Sequence, residues 1–150
     1  MKQTPDMDLV QREMRPGVIT QDGFLGSDVR RLQDILIADD AAVQRLGLTH
    51  AELAQRLRAL REAGAKGLGL GIRVAPHFEV RVESVRGKLP CPFHHPGVFQ
   101  KVNTQITRLD TGEELSFTDL GLHLIEAHGF YGGLGSPYRL EPEAVARLLG

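Results

Sequence analysis

The hydrophobic period of this chain changes twice, and the order of the changes constrains the fold more than any other feature. Apolar side chains recur three and four residues apart between positions 29 and 60. They recur every second residue between 72 and 117, and at helical spacing again from about 118 onward. A 3.6-residue period marks a helix with one buried face, and a two-residue period marks a half-buried strand. Helices, then strands with hairpin-length connections, then helices predict an α+β fold with a small antiparallel sheet. A doubly wound parallel sheet is excluded, because it needs strand and helix to alternate.

Turn and cap residues punctuate this order. Residues 1–26 carry Pro5 and the Pro16-Gly17 pair and keep no period. They read as an N-terminal arm, mobile unless Val18, Ile19, Phe24 and Leu25 dock it, and residues 27–150 read as a single globular domain. Ser27 before Asp28 offers a helix N-cap, and Val29, Leu32, Leu36, Val43 and Leu46 extend a helix over about 27–46, with Asp39 and Asp40 as a place to split it. Thr49 and Glu52 form a capping box, after which Leu53, Leu57 and Leu60 share one face of a helix over 49–63, with Arg56, Arg58, Arg61 and Glu62 outside and Gly64 as its left-handed stop. Phe78, Val80 and Val82 predict a strand, with Pro76 near its start. After the proline-rich residues 89–96, Val102, Thr104 and Ile106 run into the Asp110-Thr111-Gly112-Glu113 turn and on to Leu115 and Phe117, a hairpin. Ser116 or Thr118 caps a short helix carrying Leu120, Leu124 and Ile125 and ended by Gly129, and Pro142 opens a last short helix reaching Leu149.

Composition narrows the class. With 150 residues, 41% of them hydrophobic and 25% charged, there is enough apolar material for a core, which excludes a disordered, collagenous or disulfide-scaffold chain. No apolar run approaches the ~20 residues of a membrane span. A net charge of -1 removes the basic excess that marks generic binding to nucleic acid or anionic membrane. One cysteine allows no internal disulfide, and the first ten residues lack the apolar stretch of a secretory signal, so the cytoplasm is the expected compartment.

The chemistry concentrates between residues 91 and 128, which hold the sole cysteine and four of the six histidines. Cys91-Pro92-Phe93-His94 has C-x2-H spacing, with His95 as the alternative ligand, and His123 and His128 form H-x4-H at the end of a helix. Thiolate and imidazole are the ligands zinc takes, in a tetrahedron with bonds of ~2.0–2.3 Å. Each short spacing assembles half a site, leaving one long-range closure. Residues five apart lie about 140° around an ideal helix, from ~100° per residue, so His123 and His128 share an ion only if the last turn tightens or opens before Gly129. Asp119, one turn before His123, is placed to hold that ring's second nitrogen. The layout is similar to that of a ββα zinc finger, with a paired spacing at a hairpin and a second on a helix. It departs from it in having histidine for the second cysteine and a much longer intervening segment.

Four weaker patterns accompany this one. Cys91 beside His94 or His128 has the composition of a thiolate–imidazolium nucleophile. Gly67-Leu68-Gly69-Leu70-Gly71 follows a helix and precedes a strand, the reverse of a dinucleotide loop, and reads as a connection. Gly133, Gly135 and Ser136 with Arg139 offer backbone N–H groups and a guanidinium to an anion. Residues 28–63 admit a helix-turn-helix reading with Arg56, Arg58 and Arg61 outward, but this half is nearly neutral and does not favour nucleic acid. The sequence therefore predicts a non-catalytic module with a structural zinc held by Cys91, His94, His123 and His128, acting through a protein partner. The alternative is an enzyme using the same cluster as a metal-dependent hydrolase or cysteine nucleophile.

Overall fold

In a computed structural model, which describes residues 3–150, the capping box at residue 49 sets the best-formed helix. Thr49 Oγ1 accepts the Glu52 N–H at 3.1 Å, and a helix runs over His50–Ala65 (α3) with Leu53, Ala54, Leu57 and Leu60 buried. Gly64, expected as its stop, lies inside the helix instead. A Cβ there would stand 2.3 Å from Val80 Cγ1, so the glycine is where helix meets sheet, and the helix closes at Lys66 without a left-handed residue.

Two further helices precede α3. One spans Pro5–Glu13 (α1), inside the stretch read as a polar arm; Met1 and Lys2 of that arm lie outside the described residues. Thr4 Oγ1 caps it by accepting the Met7 N–H, Pro5 starts it, and Val10 and Met14 are buried. The other spans Leu32–Arg45 (α2) and begins later than expected. Ser27 and Asp28 are engaged elsewhere: Ser27 donates to the Leu134 carbonyl, and Asp28 takes the Leu134 N–H and the Arg30 guanidinium. Val29 is consequently 97% exposed. The first turn of α2 is capped from α1's side, since Gln11 Oε1 accepts the Leu32 N–H and Gln3 Oε1 accepts the Gln33 N–H. Asp39 and Asp40 do not break α2: Asp39 is buried against Arg139, and Asp40 faces Gln44 and His50 on the outside.

The alternating segments form four antiparallel strands in sequence order, Ile72–Val74 (β1), Phe78–Pro90 (β2), Val98–Arg108 (β3) and Glu114–Thr118 (β4). Val80, Val82, Val102, Ile106 and Phe117 turn inward, with Glu79, Arg81, Glu83 and Gln105 on the other face. The β2–β3 pairing shifts register between Ser84 and Lys88 and then resumes from Lys88↔Gln100 to Pro90↔Val98. The strand therefore continues into the proline-rich stretch, and residues 91–97 become the tip of a long hairpin. Thr118 then caps a helix over Asp119–His128 (α4) by accepting the Gly121 N–H, and Gly129 ends it at φ 63°. The chain closes with Pro142–Leu149 (α5).

Among the described residues, five helices and one antiparallel sheet make a single α+β domain. One cluster of buried residues joins the inner face of the sheet to α3, α4 and α5, and a second joins Val10, Met14, Leu32 and Ile35 to Leu120, Leu124, Phe130 and Cys91. No helix among the described residues is long and apolar enough to cross a membrane. The second cluster brings the hairpin tip to the end of α4.

Candidate metal centre

Cys91 follows the last residue of β2 and is 2% exposed. Its carbonyl accepts the His94 N–H at 3.1 Å, closing a turn through Pro92 and Phe93. His94 takes a left-handed backbone, φ 66°, and its ring leaves the cluster, with Nε2 2.7 Å from Glu13 Oε2 at the end of α1. The next residue turns back: His95 Nδ1 lies 3.1 Å from His123 Nε2. The C-x2-H spacing thus makes the turn, and C-x3-H delivers the ring.

The second pair comes from the end of α4. The Gly129 N–H closes the last α-helical turn on the Ile125 carbonyl at 3.0 Å, and the Phe130 N–H turns back to the Leu124 carbonyl as the chain leaves the helix through the left-handed Gly129. The two rings meet across the helix end without any opening of that turn: Cys91, His123 and His128 each offer a ligand atom, and all three atoms lie within 4.8 Å of one another. Cys91 Sγ is 3.5 Å from His128 Nε2. In a zinc tetrahedron with bonds of ~2.0–2.3 Å the ligand atoms stand roughly 3.3–3.8 Å apart, so this pair already spans one edge. The His95–His123 separation is close to another.

Aromatic packing holds the rings. Phe93 stacks on His128 with centroids 4.2 Å apart and planes at 10°, and Phe99 lies 4.5 Å from His123. Asp119, expected behind His123, instead makes a two-point pair with Arg61 at 3.0 and 2.9 Å, and Glu126 pairs with Arg58. Both acidic groups of α4 are therefore committed elsewhere. Burial pushes the His128 imidazole down to about 4, helped by the neighbouring His123 and His95, and burial followed by His95 lowers His123 as well. At neutral pH both rings are uncharged, the form in which imidazole binds a metal.

The remaining sequence candidates have partners inside the fold. Arg139 is bidentate to Asp39 at 2.8 and 2.9 Å and also meets Glu141 and the Gly132 carbonyl. The Gly133 N–H donates to the Phe24 carbonyl, and the Ser136 N–H donates to the Gly133 carbonyl; a Cβ at Gly135 would collide with Ser27. This glycine loop clasps the N-terminal segment. On α3, Arg56 donates to the Leu149 carbonyl while Arg58 and Arg61 take Glu126 and Asp119, which leaves no free arginine row for phosphates. A nucleophilic role for Cys91 is opposed by its enclosure, since a substrate has little access to a residue only 2% exposed.

Sequence reasoning had no means of placing Phe93 and Phe99 on the histidines. The β-alternation that puts Phe99 opposite Leu89 was the one available signal, and the proline-rich context hid it. Compared with family models, curated proteins and solved structures, this chain matches none.

Proposed function

We propose that this protein binds one zinc ion through Cys91, His123 and His128, with His95 as fourth ligand, and that the ion is structural. The observation that carries this reading is the convergence of three zinc-type ligand atoms, from a hairpin tip and a helix end, to within 4.8 Å. Bringing those three atoms to tetrahedral edges takes about 1 Å or less of movement; His95, outside that group but 3.1 Å from His123 Nε2, has to swing in to close the fourth corner. Two soft-to-borderline donor types with no carboxylate in the set favour zinc over calcium or magnesium. Four protein ligands leave no coordination position for water, which argues for a non-catalytic module. The ligating form of Cys91 is the reduced thiolate, as the cytoplasm maintains it.

The metal would join the β2–β3 tip to the end of α4, so its binding energy would become folding energy. Elemental analysis should then find one zinc per chain in the parent protein and none in Cys91→Ser. That variant should also lose the zinc-dependent rise in melting temperature. At free zinc a hundredfold above Kd that rise corresponds to about 2.7 kcal/mol, or roughly 5–10 °C for a domain of this size. Full zinc occupancy in the serine variant would remove Cys91 from the site and overturn the reading.

A further inference from the structure

Aromatic residues are scarce in this chain, six phenylalanines, two tyrosines and no tryptophan, yet they are not scattered. Six of them border one cavity of about 380 Å³, where the N-terminal segment, the β3 edge, α4 and the glycine loop meet: Phe24, Phe99 and Tyr138 keep accessible ring surface there, while Phe117, Phe130 and Tyr131 are buried in the wall behind it. That volume lies within the range of about 300–1,000 Å³ typical of small-molecule sites, which are mostly apolar with a few placed polar groups.

The polar groups are placed too. Lys101 and Asn103 stand two residues apart on β3, so their side chains leave the same face of the strand. Both line the cavity, and neither side chain makes a hydrogen bond or ion pair among the described residues. Both are exposed, so water solvates them in the free protein, and a ligand acceptor reaches an ammonium and a carboxamide side by side without breaking any bond within the fold. Lys101 is also held in an extended course over Gly87, where a Cβ would meet its Cδ and Cε at 3.2 and 3.3 Å. The only other charged residue on the wall is Asp22, in the N-terminal segment, likewise unpaired.

We infer that this cavity binds a small aromatic carboxylate, its ring against Phe24 and Phe99 and its carboxylate on Lys101 and Asn103. Ring-on-ring contacts reward an aromatic body beyond the area it buries. The ammonium supplies a charge-assisted bond to a carboxylate, which a neutral or cationic ligand cannot accept in that form. The inference is independent of the metal reading, because none of these groups is a proposed ligand, although Phe99 has cavity on one side and His123 on the other.

The test uses the full chain and three probes of one shape, 2-naphthoate, 2-naphthylmethanol and 2-naphthylmethylamine, titrated calorimetrically. Naphthoate should bind one per chain at least tenfold more tightly than the alcohol, with the amine weakest. Lys101→Met, at an exposed position and checked for an unchanged melting temperature, should bring naphthoate and alcohol within about twofold. Asp22→Asn, removing a like charge, should leave naphthoate binding intact or tighten it. With 4-fluorophenylalanine incorporated, naphthoate should shift the fluorine resonances of Phe24 and Phe99 most and spare those of Phe78 and Phe93, which lie outside the cavity. No binding by any probe, tightest binding by the amine, an unaltered preference in Lys101→Met, or shifts confined to Phe78 and Phe93 would each overturn the inference.

Discussion

A turn closed by the His94 N–H sends two adjacent imidazoles in opposite directions, one to Glu13 and the other to His123. The Cys91 spacing, the histidine pair on α4 and the density of both are visible in the sequence. Which of His94 and His95 faces the cluster is not, because it depends on the sign of one backbone angle, φ 66° at His94, that no residue type there dictates. Asp119 was equally ambiguous: its position suits His123, but the Arg61 guanidinium offers two charge-assisted bonds where the imidazole offers one. The choice has a measurable consequence. His95→Ala should weaken zinc binding by at least the roughly 10–100-fold that loss of a supporting partner costs. His94→Ala should leave zinc affinity within about twofold, since it removes only an exposed pair with Glu13. Competition against a chromophoric chelator reads both, and equal losses would place His94 at the metal.

Helices and strands were legible where period and cap agreed and were lost where a long-range partner decided. The Thr49 cap, the Phe78–Val82 alternation, the 110–113 turn, the Thr118 cap and Pro142 all express local chemistry, and all appear where expected. The start of α2 does not, because Ser27 and Asp28 bond to residue 134, more than a hundred positions away. Gly64 was misread for a related reason. Near a helix end a glycine usually serves a left-handed stop, but here the need is for space against Val80. The two uses predict different responses to alanine. With no positive φ to strain, Gly64→Ala would stabilise a free helix by about 0.5–1 kcal/mol. Against Val80 it should instead destabilise the fold by about 1–3 kcal/mol, the usual cost of overpacking a filled core. Urea unfolding distinguishes them by sign.

Over the whole molecule, the two ends of the chain hold each other. The segment expected as an arm contributes α1, the caps of α2, and Leu25 beneath the glycine loop, so it is part of the core. Its lack of period concealed this, because a nine-residue helix with one buried side chain, Val10, and a second at its C-cap, Met14, leaves too short a pattern to read. Asp28 is the hinge of that clasp. Its pairing with Arg30, helped by the Leu134 and Arg30 N–H groups, holds its carboxyl at about 2, below the ordinary 3.8. A lowered carboxyl stabilises the fold above its unfolded value and loses that contribution as pH falls through the folded one. Stability should therefore decline between pH 4 and 2 by on the order of 1–2 kcal/mol from this group. Asp28→Asn should flatten that limb and lower stability at neutral pH; an unchanged acid limb would mean the pair contributes nothing. The same closure of distant segments makes the metal centre, where a hairpin tip at 91–95 meets a helix end at 123–128. The most direct test is to titrate the metal-free, reduced protein with cobalt(II), a spectroscopic stand-in for zinc, and read its absorption. The account predicts a single equivalence point at one ion per chain, the intense visible bands of a tetrahedral site, and a thiolate-to-metal band in the near ultraviolet that zinc abolishes by displacement. An octahedral spectrum, or a tetrahedral one without the thiolate band, would contradict it.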